Sequence, residues 1–454
     1  MNAGKVFLRA NNETISAITT PIGIGAISGI RISGSKTRRI ILKIIQRRKR
    51  ILAKRIYHDF VIDDNNSIID EIIFFFRKAP NTYTGFDEAE IFTHGGYAIP
   101  ELVLKLIIEN GARLAKRGEF TQRAFINGKI DLLQAESVMD IVNAKTREAA
   151  RNAIGIFQGK YSMEIREIKD QILYVLTIID ANIDFPEEED IYFDSIKLLN
   201  RISNIKEKLQ KMIKKEESTR LMKRGVNVVI VGKPNTGKSS LFNTLMFEEK
   251  AIVTDVPGTT RDVIEGWINI EGIPVLLKDT AGIRITNDIV ESVGIKRTKN
   301  EINNSDIILA LFDGSNKLDS DDELLLSFIE KKNNLFYIIT KNDIKKKIDV
   351  SKLKRLDARI NTRDHTIPKK INKLILNYIK NNNIVTNVPD RVIIRIEESL
   401  KLLSKAHSIV YNKEGLELAS FEIKNAIDKL SNITGEITSD DILDSIFSSF
   451  CIGK

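Results

Sequence analysis

Hydrophobic and polar positions divide the chain into segments of different period. In the N-terminal quarter, β-type apolar runs at Thr14–Ile18, Gly25–Ile32 and Glu71–Phe76 are separated by turns that contain Gly or Pro, and Pro100–Glu109 has an apolar, helix-like pattern. This mixture predicts a compact α/β domain over residues 1–124.

From about Asp131 the period changes, and apolar residues recur every three to four positions, which predicts helices that pack through one face. The recurring positions are Ile165, Ile168, Ile172, Leu176 and Ile179, followed by Ile202, Ile205, Leu209 and Met212. The pattern returns near the C-terminus, where ~70 residues of amphipathic helix could hardly bury their apolar faces alone. We therefore predict one helical domain in two parts, residues 125–221 and 384–454, with residues 222–383 inserted between them.

Composition places the chain among globular proteins. Of its 454 residues, 42% are hydrophobic and 29% are charged, a balance that allows substantial cores. The apolar runs are far shorter than the ~20 residues of a membrane span, and Met1–Ala10 lacks the core of a signal peptide. We therefore expect a cytoplasmic protein without membrane contact. The net charge of +9 suits a nucleic-acid partner, but enrichment in Lys, Ile and Asn would give the same charge.

Candidate chemistry begins with the segment Gly-Lys-Pro-Asn-Thr-Gly-Lys-Ser at 232–239. It follows the apolar strand Val226–Val231 and leads into the helical run Ser240–Leu245, which is the context of a phosphate-binding loop. In such a loop the backbone N–H groups face the phosphates, Lys238 reaches the β- and γ-phosphate oxygens, and Ser239 binds Mg²⁺. The residues predicted to bind nucleotide here are Asn235, Thr236, Gly237, Lys238, Ser239 and Ser240.

Two further motifs fit the same site. The segment 279–282, Asp-Thr-Ala-Gly, follows a strand, where the carboxylate can hold a Mg²⁺-bound water and the Gly N–H can sense the γ-phosphate. The segment 255–262 occupies the place of the first switch, where the Thr260 hydroxyl can complete the Mg²⁺ shell, with a solvated turn as the alternative. The nucleotide contacts predicted from both are Thr254, Asp255, Val256, Pro257, Gly258, Thr259, Thr260, Asp279, Thr280, Ala281 and Gly282.

The base-recognition motif is Thr340-Lys341-Asn342-Asp343, which ends the strand Leu335–Ile339 where GTPases carry Asn-Lys-x-Asp. Asp343 can accept hydrogen bonds from guanine N1–H and N2–H₂, a pair of donors that adenine lacks. Lys341 and Asp343 are therefore predicted to bind guanine. Because Thr340 replaces an amide that would brace the base, we expect weakened but not reversed base selection. The second base loop appears only as a poor match at Asn361–Arg363.

The residue that orients the attacking water is not fixed by spacing. Many small GTPases place a Gln directly after the Asp-x-x-Gly motif, but this chain has Ile283. Asp288 and Glu291 lie on Asn287–Lys299, which has the pattern of the switch helix, and either could orient water. A solvated acidic face is the alternative for both.

This ordered set of motifs, together with the terminal Phe-Cys-Ile-Gly-Lys, resembles the MnmE (TrmE) family of tRNA modification GTPases over essentially the whole chain. The N-terminal segments that carry the resemblance are Gly29–Gly34, Tyr83–Gly85, His94–Gly96, Gly118–Phe125 and Asn127–Glu136. The resemblance implies an α/β plus α fold class. Its parts would be a tetrahydrofolate-binding and dimerisation domain at 1–124, the two-part helical domain, and an inserted Ras-like P-loop GTPase domain with a parallel sheet.

The resemblance also implies an activity and its partners. Members of the family hydrolyse GTP and form homodimers through their N-terminal domains. With an FAD- and NADH-using partner, MnmG (GidA), they add an aminomethyl-type group to C5 of the wobble uridine, position 34, of certain tRNAs. The implied cofactors are Mg²⁺, K⁺ and a 5-formyl- or methylene-tetrahydrofolate.

Residue roles carried over by position complete the resemblance. It implies Glu291 as the residue that orients water and Cys451, the only cysteine, as an active-site residue in place of the buried, inert thiol that a lone cysteine usually is. K⁺ would replace the charge of an arginine finger. The implied K⁺ ligands are Asn235, Thr254, Val256 and Thr259, and the implied folate contacts are Arg31, Glu90, Lys129 and Lys454.

Two other functions stay open at this point. A GTP-switched ribosome-assembly factor without modification chemistry would carry similar GTPase motifs, whereas a P-loop ATPase or kinase is disfavoured by Asp343 and the switch motifs. One departure from the family lies at Gly23–Ala26, where a Gly-Arg-Gly-Gly-like turn is expected. This difference predicts a loosened folate pocket.

Overall fold

The computed structural model describes residues 13–46, 51–185, 194–248, 264–279, 298–345, 347–361, 366–382, 391–437 and 440–454. They form two compact units. The first comprises Met1–Met139, Gly155–Glu207 and Arg395–Lys454, and the second comprises Asp140–Ile154 and Lys208–Ile394. The predicted domain boundaries remain predictions.

The strands in chain order are β1 (Ile15–Ile18), β2 (Gly23–Ser33), β3 (Ile56–Ile62), β4 (Ile68–Arg77), β5 (Glu88–Gly96), β6 (Arg113–Leu114), β7 (Val226–Val231), β8 (Ile264–Ile270), β9 (Ile273–Asp279), β10 (Ile307–Asp313), β11 (Leu335–Thr340) and β12 (Ala358–Arg359). The helices are α1 (Thr37–Ile44), α2 (Ala98–Glu109), α3 (Glu119–Ile126), α4 (Leu132–Asn143), α5 (Arg147–Phe157), α6 (Lys160–Asp184), α7 (Ser195–Arg224), α8 (Lys238–Glu248), α9 (Ser320–Ile329), α10 (Ile367–Asn382), α11 (Arg391–Asn412), α12 (Leu416–Thr434) and α13 (Asp440–Ser448).

The sheet of the first unit has the strand order β3-β4-β5-β2-β1-β6. Its neighbouring strands are antiparallel except for the parallel pair β1 and β6. Alternate residues of the strands, such as Phe74 and Ile91, are fully buried in one core with Val103 and Ile107 of α2. Because successive strand residues point to opposite faces, the residues between them project from the other face.

Helices complete the first unit. Along α6 a stripe that includes Ile172 and Ile179 is fully buried, as the predicted period requires, and α12 packs on this helix with Ile423 and Leu430 buried. The Ser420 hydroxyl hydrogen-bonds the Asp180 carboxylate between the two helices at 2.5 Å. A smaller core joins α4 to α13 and the residues after it: Leu132, Ala135, Leu443, Phe447 and Phe450.

The second unit is built on a sheet of order β12-β11-β10-β7-β9-β8, in which only the β8–β9 pair is antiparallel. All seven residues of β10 are buried, as expected of a central parallel strand covered on both faces. Ligands bind at the carboxyl ends of such strands. The predicted fold class, α/β plus α with a Ras-like parallel-sheet domain, is therefore confirmed.

No helix in the described part of the chain is long and apolar enough to cross a membrane.

Gly225 makes the whole connection between α7 and β7. Its φ is +75°, and a Cβ there would lie 2.7 Å from the Pro274 carbonyl oxygen and 2.7 Å from the ring of Trp267. A side chain at this position would therefore be strained both by the backbone conformation and by contact with backbone atoms.

Replacing Gly225 by alanine should lower the free energy of unfolding of the second unit by about 1–3 kcal/mol. Trp267 is the only tryptophan of the chain, so its fluorescence during a urea titration follows this unit. A control variant, Lys380→Ala, removes an ion pair with Glu271 that is 67% exposed on both sides, and should shift the midpoint much less. Equal shifts for both variants would contradict the argument.

Candidate functional site

The predicted phosphate loop connects β7 to α8, and its backbone is compact. A Cβ on Gly232 would lie 2.6 Å from the Leu311 carbonyl oxygen and 2.8 Å from the Thr236 hydroxyl. Asn235 and Gly237 have φ values of +62° and +92°. Left-handed residues within a loop of this kind form the concave nests of N–H groups that bind anions.

Lys238 lies in the first turn of α8 and is 6% exposed. Its ammonium donates to the Lys233 carbonyl at 2.8 Å, and the Thr236 hydroxyl donates to the same oxygen at 2.8 Å. Burial lowers the pKa of Lys238, and the charge of Asp279 opposes this. The loop lysine and the carboxylate that ends β9 therefore lie at one phosphate-binding end.

This end has the donor set that a magnesium nucleotide needs. The side chains of Ser239 and Ser240 are exposed at the start of α8, whereas Asp279 is buried. Mg²⁺ in nucleotide sites is held by few protein oxygens together with phosphates and waters. Ser239 and Asp279 fit that requirement.

The structure adds an anchor for the phosphate loop that the sequence reasoning did not identify. The Lys233 ammonium pairs with Asp319 at 2.6 Å and Asp322 at 2.7 Å. These two carboxylates form a capping box at the start of α9. Lys233, whose carbonyl accepts the hydrogen bond from the Lys238 ammonium, is thereby held in place by its own side chain.

The predicted base-binding motif follows β11. Thr340 is fully buried and its hydroxyl donates to the Phe312 carbonyl at 3.2 Å, so this side chain ties β11 to β10. Lys341 has a φ of +52° and its ammonium pairs with Asp313 at 2.6 Å. Asp343 is exposed, so a nucleotide base can reach its carboxylate.

Asp313 is a second residue that sequence reasoning missed. Burial raises the pKa of its carboxyl, but hydrogen bonds from Lys341 and Ser315 outweigh burial and lower the pKa to about 2. The available signal was an acidic residue directly after the apolar run Ile307–Phe312, at the carboxyl end of β10 and at the same edge as Lys341.

Several predicted site residues lie outside the described residues. They are Thr254, Asp255, Val256, Pro257, Gly258, Thr259, Thr260, Thr280, Ala281, Gly282 and both candidates for orienting water, Asp288 and Glu291, together with Thr362 and Arg363 of the second base loop.

A second group of predicted residues lies on the open face of the first sheet. Arg31 of β2 and Glu90 of β5 are register partners, and Nε and Nη2 of Arg31 lie 3.2 and 3.1 Å from Glu90 Oε1. Their side chains are 20% and 19% exposed. Arg77 Nη2 donates to the same oxygen at 3.1 Å. The Arg31 guanidinium lies 5.5 Å from the ring centroid of Phe120.

The C-terminal tail reaches this group through backbone pairing. The Phe120 N–H donates to the Lys454 carbonyl at 3.1 Å and the Gly118 N–H donates to the Cys451 carbonyl at 3.4 Å. Gly453 has a φ of +97°, and a Cβ on it would lie 2.7 Å from the Ile18 carbonyl oxygen. Cys451 is an exposed free cysteine, so the alternative of a buried thiol is wrong, and its role in an active site stays a prediction.

Lys129 approaches the same place from the turn after α3. Its Cε lies 3.3 Å from the point that a Cβ on Gly85 would occupy, and Gly85 is two residues from Tyr83, whose ring lies 5.9 Å from the Arg31 guanidinium. Cations, a carboxylate and aromatic rings therefore surround one region. This set fits a ligand with carboxylates and a pterin-like ring.

Comparison with known proteins places the chain in a family. The family described as MnmE helical domain matches residues 132–451, and the family described as GTP-binding protein TrmE N-terminus matches residues 14–129. The tRNA modification GTPase MnmE of Lactococcus lactis subsp. lactis (strain IL1403) is 38% identical over 97% of this chain and 98% of the relative. Those of Fervidobacterium nodosum and Acetivibrio thermocellus are each 37% identical, covering 98% and 97% of this chain and 98% and 99% of the relatives.

Replacing Asp313 by asparagine should destabilise the second unit in a pH-dependent way. The folded pKa of Asp313, about 2, lies below its ordinary value of 3.8, so its pairing stabilises the fold above about pH 4 and is lost as the pH falls toward 2. In urea titrations followed by Trp267 fluorescence, the midpoint of Asp313→Asn should lie below that of wild type at neutral pH. The difference should shrink below about pH 4. A difference that stays constant down to the lowest pH would contradict the pairing.

Proposed function

The chain belongs to the MnmE family of tRNA modification GTPases, and from that premise we propose that it is a K⁺-activated GTPase that modifies the wobble uridine of certain tRNAs. It would act at C5 of position 34, forming the 5-carboxymethylaminomethyl or aminomethyl group. It would do so as a cytoplasmic homodimer that assembles with an FAD-dependent partner of the MnmG (GidA) type into a heterotetramer.

The observation that carries this proposal is the docking of the C-terminal tail. Backbone hydrogen bonds hold Cys451 and Lys454 against Gly118 and Phe120, and the Phe120 ring lies beside Arg31. An exposed cysteine and a set of polar groups suited to a folate thus lie on segments that backbone hydrogen bonds hold together. A ribosome-assembly factor that only switches with GTP has no use for such a region, so the arrangement favours modification chemistry.

At the nucleotide end, each residue has a defined task. Lys238 holds the β- and γ-phosphate oxygens, which take the place of the Lys233 carbonyl that its ammonium now contacts. Ser239 holds Mg²⁺ together with Thr260, and Glu291 orients the attacking water. Mg²⁺ and K⁺, when bound, supply positive charge that stabilises the transferred γ-phosphoryl group.

At the tail end, Arg31 and Lys129 bind the carboxylates of a tetrahydrofolate derivative, and Glu90 accepts hydrogen bonds from its pterin-like ring. Lys454 closes the site from the tail. When bound, the folate derivative supplies a one-carbon unit. Cys451 is proposed as an active-site residue because it is exposed and its carbonyl accepts the Gly118 N–H, next to Glu119 and Phe120.

Potassium dependence is the first test of the GTPase proposal. GTP turnover should be about tenfold or more faster in KCl than in NaCl at equal ionic strength, because K⁺ supplies the charge that an arginine finger brings elsewhere. ATP turnover should be slower than GTP turnover in both salts, because base selection is weakened but not reversed. Asn235→Ala should abolish the difference, whereas Asn243→Ala, which changes an exposed asparagine on α8, should keep it. Equal rates in the two salts for the wild-type protein would remove the K⁺ assignment.

Modification is tested in cells. Mass spectrometry of tRNA from a deletion strain should show loss of the C5-modified wobble uridine, and wild-type protein should restore it. Lys238→Ala and Cys451→Ser should not restore it, the second because it replaces the exposed thiol. Fully modified tRNA in the deletion strain would reject the proposal and favour a role in ribosome assembly.

A further inference from the structure

Glu88 is a fully buried carboxylate beside the proposed folate site. It opens β5 two residues before Glu90 and therefore projects from the same face of the sheet. No role for it follows from the sequence motifs. Because this inference concerns the folate region, it rests on the proposed function.

Both oxygens of Glu88 accept hydrogen bonds from the protein. Oε1 receives the Thr84 N–H at 2.7 Å, and Oε2 receives the Tyr83 N–H at 3.1 Å. Arg77 Nη2 lies 3.3 Å from Oε2. A carboxylate with three protein donors and no exposed surface cannot contact a ligand without leaving those donors unsatisfied.

The loop that Glu88 holds contains the groups that face the site. The Tyr83 ring lies 5.9 Å from the Arg31 guanidinium, and Gly85 faces the Lys129 side chain. The Thr84 hydroxyl and the Ser33 hydroxyl are hydrogen-bonded at 2.7 Å, and the Thr84 carbonyl accepts a hydrogen bond from the Asn127 side-chain amide at 2.6 Å. Of these contacts, only those of Glu88 fix two consecutive backbone N–H groups.

Glu88 and Glu90 thus divide two roles between them. Glu90 keeps about a fifth of its side chain exposed, and its Oε1 receives Arg31 and Arg77. Glu88 shares Arg77 with it but faces only the protein. We propose that Glu88 is a positioning residue of the folate site, which sets the loop 83–85 so that Tyr83, Arg31 and Lys129 meet the ligand in fixed geometry.

The test compares folate affinity among four proteins. The dissociation constant of 5-formyl-tetrahydrofolate is measured by isothermal titration calorimetry for wild type, Glu88→Gln, Glu88→Asp and the control Glu71→Gln. Glu71 lies on the same sheet with half of its side chain exposed and pairs only with exposed His58 among the described residues. Glu88→Gln turns one acceptor into a donor that faces a donor, and should weaken binding at least about tenfold.

Glu88→Asp separates position from charge. It keeps the charge but shortens the side chain by one methylene, so its carboxylate cannot reach both N–H groups, and affinity should fall between those of wild type and Glu88→Gln. Amide hydrogen exchange at Tyr83 and Thr84 should accelerate in both variants and not in Glu71→Gln. If Glu88→Gln does not unfold cooperatively, its loss of affinity reflects misfolding. The affinity of Glu88→Asp then decides alone whether Glu88 is a positioning residue.

The outcomes separate the inference from the proposal on which it rests. Wild-type affinity in Glu88→Asp, or an equal loss in Glu71→Gln, would overturn the positioning role while leaving the folate site in place. Absence of binding by the wild-type protein would overturn the folate site itself and this role with it.

Discussion

The parallel direction of four strands is the constraint on which the nucleotide site depends. β9, β7, β10 and β11 pair side by side in one direction, so their carboxyl ends lie at one edge. The phosphate loop, Asp279, Asp313 and Lys341 each follow or end one of these strands. The pairing of the strands therefore brings these segments, which are distant in the sequence, to one edge of the sheet. No further contact between the segments is needed to place them there. The burial of β10 on both faces keeps this order fixed.

In the first unit the corresponding constraint is backbone pairing over a long separation. The residues that precede and open α3 bond to the tail through main-chain groups, and the buried Phe450 side chain holds the start of the tail in the core with α4. At Gly453 the left-handed backbone and the close Ile18 carbonyl leave no room for a Cβ. The backbone of Cys451 is thereby held beside Gly118, more than 300 residues earlier in the chain.

Sequence reasoning predicted what is encoded locally. The phosphate loop, the strand before it and the helix after it are consecutive, and the alternation of elements indicated a parallel sheet. It missed Asp313, the pair Asp319 and Asp322, and Glu88, because their roles depend on register and on partners far along the chain. Lys233, for example, meets Asp319 only because the loop after β10 is adjacent to the loop after β7. Spacing cannot supply that adjacency, and it gave no reason to distinguish Glu88 from an ordinary strand residue.

Burial separates the carboxylates that hold the candidate sites together from those that a ligand could reach. Asp313 and Glu88 are enclosed by donors of the protein, and the charge-assisted bonds they make are worth more away from water. Asp343 and Glu90 keep exposed surface, and a ligand can reach them. If an enclosed carboxylate bound a ligand instead of its protein partners, the N–H donors of those partners would be left buried without an acceptor. At each candidate site, an enclosed carboxylate therefore fixes neighbouring residues, while a second carboxylate stays accessible from solvent.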